Sequence, residues 1–326
     1  MHVDPQLRLL TKVARLHHER GLRQVQIAEA LGISQAKVSR LLKRAGELGI
    51  VRTVVTIAPG LHSELEDALE QRFGLAEAII ADVDEHADDA EVRSAIAAVA
   101  AAHLETTVGE GERIGIASWS QTLMAVADRV RPLSGRGAAE VVQLLGGMGE
   151  PEVQRQVHRL VDGLARALGA SPVFVQAPGV VADRQTQRRL LDDPALAEVA
   201  RRWRALTMAV VGIGSIEPSE LLAESGNAFS PDERKALLAE GAVGDICHRV
   251  FRRDGSLVAG PLDDRTVSIA VDDFLAIPRR VGVAGGERKI EPMLGALAGG
   301  WVTTLVTDLR TAERLLESSD GSQQTR

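Results

Sequence analysis

Residues 24–46 read QVQIAEALGISQAKVSRLLKRAG, and this stretch decides how the front of the chain folds. It predicts two short helices joined by a tight turn at Gly32, because glycine adopts positive φ without steric cost. Ser34 stands at the N-cap position of the second helix, where a hydroxyl accepts a free backbone N–H. An apolar stripe at helical spacing follows, formed by Val38, Leu41, Leu42 and Ala45. The pattern is typical of a helix-turn-helix unit.

The outer face of this second helix is basic. A helix with a buried stripe and a basic outer face, held by a short turn, has the geometry that enters a DNA major groove. An αα-hairpin with a solvated basic face is the alternative. The residues that we predict to meet DNA are Ser34, Gln35, Lys37, Ser39, Arg40, Lys43 and Arg44. Among these, Gln35 and Arg40 suit the base edges of adenine and guanine, whereas lysines suit phosphates.

The charge of the chain is divided unevenly. The 326 residues have a formal net charge of −7. The first 52 residues carry ten Lys or Arg and four Asp or Glu, so the front has a balance of +6 and the remainder one of −13. A small basic module before a large acidic body indicates that only the front meets phosphate. A helix at residues 7–20 completes this module, and IVRTVVTI at 50–57 predicts the strand of a wing.

Short apolar strands alternate with amphipathic helices from residue 77 onward. This alternation predicts a parallel sheet that is covered on both faces. In such sheets, ligands bind beyond the carboxyl ends of the strands. Four loops with glycine or hydroxyl residues follow predicted strands, at 118–122, 146–149, 214–215 and 285–289. Ordinary N-capping by Ser120 is an equal explanation of the first loop.

Two nucleotide-binding patterns are absent from the sequence. It holds no G-x-x-x-x-G-K-[ST] motif, which argues against an NTPase. The G-x-G at residues 212–214 has no third glycine, which argues against a dinucleotide site. We also expect no cofactor and no metal site, because the histidines lack the spacing of metal ligands. The single Cys247 fits a buried thiol in a reducing compartment.

The sequence resembles the SorC family of sugar-binding transcriptional regulators, both at these loops and over nearly the whole chain. The segments that carry the resemblance are QIAEALGISQAKVSRLLKRAGELGIV, IGIASWSQTLMAVA, QLLGGMG, ASPVFVQAP, AVVGIGS, GAVGDICHRVFRRDG and VGVAGGERKIEPMLGALAGGWVTTLVTDLRTAERLL. The resemblance implies a Rossmann-like effector domain related to ribose-5-phosphate isomerase and glucosamine-6-phosphate deaminase. It further implies a sugar effector, often phosphorylated, and assembly from dimer to tetramer on operator DNA.

The resemblance also implies site residues. Residues 118–122 look like the family's phosphate-cradling loop, Lys289 like its phosphate-pairing lysine, and Asp245 and Gln176 like residues that line the sugar pocket. The family often has glycine at the position of Ser120. The serine side chain narrows the phosphate-cradling loop, so a free sugar or polyol remains an alternative to a phosphorylated effector. The predicted effector residues are Ser118, Trp119, Ser120, Gln121, Thr122, Gly146, Gly147, Gln176, Gly214, Asp245, Gly285, Gly286 and Lys289.

The sequence therefore predicts an α/β protein with three parts: a (winged) helix-turn-helix DNA-binding domain at 1–58, a sugar-binding and oligomerisation domain at 59–317, and a disordered tail at 318–326. The expected function is an effector-controlled repressor of carbohydrate-metabolism genes. A sugar-phosphate isomerase or deaminase using Asp183, Asp245 or Asp308 is the alternative, and an architectural DNA-binding protein without ligand is a third. We expect a cytoplasmic protein, since the chain shows no signal peptide and no apolar run of about 18 residues. The resemblance implies that it is a homo-oligomer.

Overall fold

The computed structural model describes residues 5–51, 61–133 and 137–320, and the chain divides into two compact units, Met1–Pro59 and Gly60–Arg326. The strand that we predict at 50–57 lies almost wholly outside the described residues, as does the end of the tail at 321–326.

The first unit holds three helices, α1 (Pro5–His18), α2 (Gln24–Leu31) and α3 (Gln35–Glu47). Gly32 ends α2 in the left-handed conformation, at φ 62°. The Ser34 hydroxyl caps α3 by accepting the backbone N–H of Lys37 at 3.3 Å. α1 and α2 both contact α3, and the three helices bury a small aliphatic core formed by Leu10, Val13, Ala14, Ile27, Ala28, Val38 and Ala45.

The second unit is built on a parallel sheet. The described strands are β1 (Glu77–Ala81), β2 (Arg113–Ile116), β3 (Glu140–Gln143), β4 (Ser171–Val173), β5 (Met208–Gly212), β6 (Gly214–Ser215), β7 (Ala242–Ile246), β8 (Arg249–Arg252), β9 (Arg279–Val283) and β10 (Thr304–Asp308). Seven of them form the main sheet, in the order β1-β10-β9-β5-β2-β3-β4 and with parallel pairing throughout. The other three, β6, β7 and β8, form a small antiparallel sheet. The predicted parallel α/β architecture is confirmed.

Helices cover the main sheet and extend the unit. Those described are α4 (Ser63–Phe73), α5 (Asp89–Thr107), α6 (Gln121–Ala127), α7 (Pro151–Ala167), α8 (Arg184–Asp192), α9 (Pro194–Trp203), α10 (Glu220–Glu224), α11 (Pro231–Ala239), α12 (Val271–Leu275), α13 (Ile290–Ala298) and α14 (Leu309–Asp320). α5, α6 and α7 contact one another in series and pack on the strands. α4 and α14 pack together at the β1–β10 end, and α13 contacts α14 and the strands β7 and β8.

The strand order contains a reversal that positions the site. Counted from β2, the six strands β4-β3-β2-β5-β9-β10 follow the order 3-2-1-4-5-6 of a doubly wound sheet, with β1 added at the edge. The chain moves outward from β2 through β3 and β4, and then returns to place β5 on the other side of β2. In such sheets the crevice at the reversal is the usual place for a ligand.

The runs at 245–251, 256–259 and 267–270 read as single strands in the sequence, and these three predictions, together with that of a disordered segment from residue 318, are wrong for the described residues. The single strand predicted at 245–251 is a hairpin, because Cys247 and His248 adopt positive φ and turn the chain between β7 and β8. The strands predicted at 256–259 and 267–270 make only isolated bridges to neighbouring segments. The short helices α10 and α12 were not predicted. Finally, α14 continues to Asp320, so residues 318–320, which we predicted to be disordered, are helical.

A glycine in β2 tests how tightly the sheet is packed. We expect Gly115→Ala to lower the free energy of unfolding by about 1–3 kcal/mol. The added methyl group would lie 2.6 Å from Leu144 Cδ2 and 2.9 Å from Leu206 Cδ1, two side chains that are themselves buried. The matched control is Gly163→Ala inside α7, where a Cβ has no atom within 4 Å. That change should stabilise the chain by about 0.5–1 kcal/mol. Urea unfolding of both variants, monitored by circular dichroism, measures the two changes in the free energy of unfolding. Changes of the same sign would contradict the packing described.

Candidate functional site

A cleft of ≈ 200 Å³ opens at the carboxyl ends of β2, β5 and β9. The loops that follow these three strands form most of its wall, as expected for the crevice of a doubly wound sheet. Nine of the predicted effector residues line the cleft: Trp119, Ser120, Gln121, Thr122, Gly214, Asp245, Gly285, Gly286 and Lys289. The structure thus brings together residues from four separate stretches of sequence.

The loop after β2 leads into α6, and Ser120 is its N-cap. The Ser120 hydroxyl accepts the backbone N–H of Leu123 at 3.2 Å, so the N-capping explanation of this serine holds alongside its place in the cleft. The hydroxyl also lies against the loop after β5, because a Cβ on Gly212 would come within 2.9 Å of it. A glycine at position 212 therefore leaves room for the serine side chain.

The loop after β9 is held by a buried carboxylate. Asp308 accepts the backbone N–H of Gly286 at 3.1 Å and the hydroxyl of Thr311 at 2.6 Å. Gly285 is packed so closely against this carboxylate that a Cβ would lie 2.3 Å from Asp308 Oδ2. Gly286 adopts a φ of 91°, which favours glycine. The paired glycines thus shape the loop that precedes Lys289.

Lys289 is half-buried at the end of this loop and lines the cleft. Burial lowers the pKa of its ammonium group, because a charged group loses solvation; the nearby Asp245 carboxylate acts in the opposite direction, and Arg288 adds to the lowering. An anion bound beside Lys289 would replace the lost solvation.

Asp245 presents a carboxylate to the cleft from β7. Its side chain is 13% exposed, and it accepts the backbone N–H of His248 at 3.0 Å. Gly214 makes room for it, since a Cβ there would lie 1.9 Å from Asp245 Oδ1. Between β7 and β8, Cys247 is buried, as predicted from the sequence, and burial raises the pKa of its thiol.

Ser118 and Gln176 do not line the cleft. Ser118 is fully buried, and its hydroxyl donates to the carbonyl oxygen of Leu145 at 3.4 Å. This hydrogen bond therefore holds the start of the loop after β2 in place. Gln176 is exposed and is not among the residues that line the cleft. The prediction that these two side chains contact an effector is not supported by their positions.

Gly146 and Gly147 also lie outside the lining. A Cβ on Gly146 would meet the carbonyl oxygen of Pro178 at 2.2 Å, and one on Gly147 would meet the Gln143 side-chain amide at the same distance. Both glycines therefore permit close packing of the chain, and neither is among the residues that line the cleft.

Several cleft residues escaped the sequence analysis: Asp89, Arg93, Glu217, Ser219 and His248. Ser215 and Arg288 also line the cleft; they lie in loops that the sequence singled out, but they were not among the predicted effector residues. Asp89 and Arg93 belong to α5, which precedes the glycine loop by nearly 200 residues. No local signal marks them, because only the packing of α5 beside β9 and β10 brings them to the cleft.

The three carboxylates considered for an enzyme lie apart. Asp183 is exposed and caps α8 by accepting the backbone N–H of Thr186 at 2.8 Å. Asp308 is committed to the glycine loop described above. Only Asp245 lines the cleft, so these three residues do not assemble a pair for acid–base chemistry.

The predicted DNA-contacting residues of the first unit are all exposed along or just before α3. Arg40 Nε donates to the backbone carbonyl of Ala36 at 3.3 Å. Arg44 forms an ion pair with Glu47 at 2.9 Å. Exposed contacts of this kind contribute little to stability, so both arginines can give up these partners for another at a small cost in free energy.

Within residues 5–51, 61–133 and 137–320, no helix is both long and apolar enough to cross a bilayer. The same part of the chain holds no group of three or more His, Cys, Asp or Glu arranged to bind a metal ion.

Comparison with known proteins shows which sequences this chain is similar to. Residues 59–317 match the sequence model of a family described as "Putative sugar-binding domain". The deoxyribonucleoside regulator of Bacillus subtilis is 31% identical over 308 residues, which cover 94% of this chain and 97% of that protein. The sorbitol operon regulator of Klebsiella pneumoniae is 31% identical over 319 residues, covering 97% and 100%.

The fold comparison agrees with these relatives. The crystal structure of the full-length sorbitol operon regulator SorC from Klebsiella pneumoniae superposes with a TM-score of 0.72 at 30% identity, covering 96% of this chain and 100% of that one. These relatives are named as regulators and not as enzymes, so the isomerase or deaminase alternative is not favoured. Together, the match of the family model and the two curated relatives show that the chain belongs to the SorC family of sugar-binding transcriptional regulators.

Proposed function

We propose that this chain is a cytoplasmic repressor of carbohydrate-metabolism genes, in which residues 1–58 bind operator DNA and residues 59–317 bind a sugar, polyol or sugar-phosphate effector and mediate assembly into a homodimer or homotetramer. The division of the chain into units at residue 59 and the family match from residue 59 support this arrangement. The names of the relatives support the proposal that the regulated genes serve the use of a sugar or polyol.

The observation that carries the proposal is the cleft at the strand reversal. It combines a half-buried cation at Lys289, a carboxylate at Asp245 and hydroxyl groups from the loop after β2. A carboxylate accepts hydrogen bonds from the hydroxyl groups of a carbohydrate, protein hydroxyls both donate to and accept from them, and a cation pairs with an anionic substituent. A volume of ≈ 200 Å³ suits a small ligand of this kind.

In the proposed mechanism, the effector changes the affinity of the protein for its operator. Effector binding favours one arrangement of the subunits, and DNA binding favours another. The two binding events are then coupled by a free energy that is typically about 1–3 kcal/mol. Dimeric helix-turn-helix proteins place two recognition helices one turn of DNA apart, so a modest rearrangement of subunits is enough to change operator affinity.

The basic face of α3 gives the first test. We expect Arg40→Ala to weaken operator binding by about 1–3 kcal/mol, because Arg40 is assigned to a base edge. The difference in affinity between operator and random DNA should become smaller for the same reason. Lys43→Ala should weaken binding to all sequences and reduce the slope of log affinity against log salt by about 1, because Lys43 is assigned to a phosphate.

An operator fragment for this test is first selected from random DNA with the wild-type protein, and mobility shifts at several salt concentrations then compare the variants. Arg15→Ala, which removes the same charge from an exposed position on α1, is the control and should leave binding unchanged. Unaltered operator binding by both α3 variants would exclude α3 as the reading helix.

The cleft gives the second test, a thermal-shift screen of sugars, polyols and their phosphate esters. A compound that binds only the native state raises the unfolding temperature. We expect Lys289→Ala to abolish the shift caused by a phosphorylated compound and to weaken the shift caused by a neutral one. Lys235→Ala on α11 is the matched control, since this lysine is exposed and does not line the cleft. A wild-type protein that no carbohydrate stabilises would contradict an effector site.

A further inference from the structure

The turn between β7 and β8 borders the cleft and has an unusual backbone. Ile246 and Arg249 are paired across the hairpin, so Cys247 and His248 are the two central residues of the turn. Both adopt positive φ, at 53° and 61°, where residues other than glycine are uncommon. Tight hairpin turns of this kind usually hold glycine or asparagine. Such backbone strain concentrates at functional sites, and both residues line the cleft.

The conformation of His248 fixes the carboxylate of Asp245. The backbone N–H of His248 donates to Asp245 Oδ2 at 3.0 Å. The other oxygen, Oδ1, lies against Gly214, where a Cβ would come within 1.9 Å of it. A carboxylate has about four acceptor sites, and the N–H of His248 occupies one of them. Asp245 therefore enters the cleft in one orientation and with acceptor sites left for a ligand.

The tautomer of the His248 ring follows from its buried partner. Ring Nε2 lies 3.1 Å from the carbonyl oxygen of Asn227. A carbonyl oxygen only accepts, so in the neutral ring Nε2 carries the proton and Nδ1 is an acceptor. The side chain is 2% exposed, and its ring packs against Phe229 with the centroids 4.9 Å apart. Within the described ranges, Nδ1 receives no hydrogen bond, so it is a buried acceptor without a donor.

Two acceptors therefore lie side by side at the cleft. His248 Nδ1 is 3.8 Å from Asp245 Oδ2, and neither atom can donate to the other. A vicinal diol, which is a pair of hydroxyl groups on neighbouring carbons, offers two adjacent donors. Each hydroxyl carries one proton and donates to one acceptor, so the diol satisfies both atoms. A ligand that lacks either hydroxyl leaves one acceptor unpaired, which is costly in a buried site.

An ammonium group also offers several donors. However, Lys289 and Asp245 are close enough for their opposite charges to interact. The carboxylate is thus already opposed by a cation of the protein, which would repel a second cation at this place. Neutral hydroxyl donors fit the pair of acceptors better.

We propose that His248 is a specificity-determining residue of the cleft. In this proposal, Nδ1 of its ring and the carboxylate of Asp245 accept hydrogen bonds from a vicinal diol of the effector, and they discriminate against deoxy analogues. The inference rests on the proposed function of the cleft as the effector site. It adds a residue and a hydroxyl requirement to that function, and it applies to a free and to a phosphorylated carbohydrate alike.

The test is isothermal titration calorimetry of the full-length protein with sugars and their monodeoxy analogues. The probes are D-ribose 5-phosphate and D-glucose 6-phosphate, each with the set of analogues that lack one hydroxyl, and the same sugars without phosphate. For at least one parent sugar, we expect two analogues to bind about 10- to 100-fold more weakly than the parent, because each leaves a buried acceptor without a donor. The two missing hydroxyls should be on neighbouring carbons.

His248→Gln is the discriminating variant. The glutamine amide can replace Nε2 as the donor to Asn227, whereas the acceptor at Nδ1 is lost. We expect this variant to bind the parent sugar about 10- to 100-fold more weakly and to stop discriminating against one of the two analogues, the one that lacks the hydroxyl paired with Nδ1. Discrimination against the other analogue should remain, since Asp245 still accepts from its hydroxyl.

Two further variants separate the ring from the turn. His248→Gly keeps the left-handed backbone and the N–H that Asp245 accepts, and it removes the ring. It should lose discrimination at the same hydroxyl as His248→Gln. His158→Gln makes the same change at an exposed position on α7 outside the cleft, and it should leave every Kd unchanged.

The outcomes distinguish this inference from the proposed function. If the analogues bind like their parents, or if His248→Gln keeps the wild-type discrimination at both hydroxyls, His248 does not contact the effector, and the effector site itself stands. If His248→Gln weakens the parent and all analogues by the same factor, the role of His248 is structural, and the inference is overturned. If none of the sugars binds the wild-type protein, the inference and the proposed effector site are both overturned.

Discussion

The parallel pairing of β2 with β5 is the constraint on which the site depends. Residues 114–116 of β2 lie beside residues 208–210 of β5, although more than 90 residues separate them along the chain. Because the chain leaves these two strands in different directions, their following loops diverge and leave a crevice between them. β9 pairs on the far side of β5 and adds the glycine loop. The cleft is thus a consequence of strand order.

Buried polar groups hold the walls of this crevice in one arrangement. Asp308 fixes the glycine loop through the N–H of Gly286. On the other side, the His248 ring donates from Nε2 to the carbonyl oxygen of Asn227 at 3.1 Å, and the Asn227 side chain accepts the N–H of Gly179 at 2.7 Å. Hydrogen bonds of this kind are strong in the interior and costly to leave unmade. The loops are therefore largely arranged before a ligand arrives, and little binding energy is needed to order them.

Charge is distributed differently in the two units, in keeping with two kinds of ligand. On α3, the basic side chains are exposed, and their contacts with Ala36 and Glu47 are local and weak, so a polyanion can replace them. In the cleft, Lys289 is half-buried, and because solvent screens its charge less there, it interacts more strongly with a single bound anion than an exposed lysine does. Exposed cations suit a long, salt-dependent interface, whereas a half-buried cation suits a small ligand.

The sequence by itself determined the fold class, the helices of the first unit, most strands of the parallel sheet and the loops after β2, β5 and β9, because hydrophobic periodicity and capping residues are local signals. It did not reveal the hairpin at Cys247 and His248, since turns of this kind are usually marked by glycine or asparagine. It also did not separate Gly285, which shapes the cleft, from Gly146, which permits close packing. Only the tertiary structure decided these roles and brought Arg93 to the cleft, because each depends on atoms that belong to distant parts of the chain.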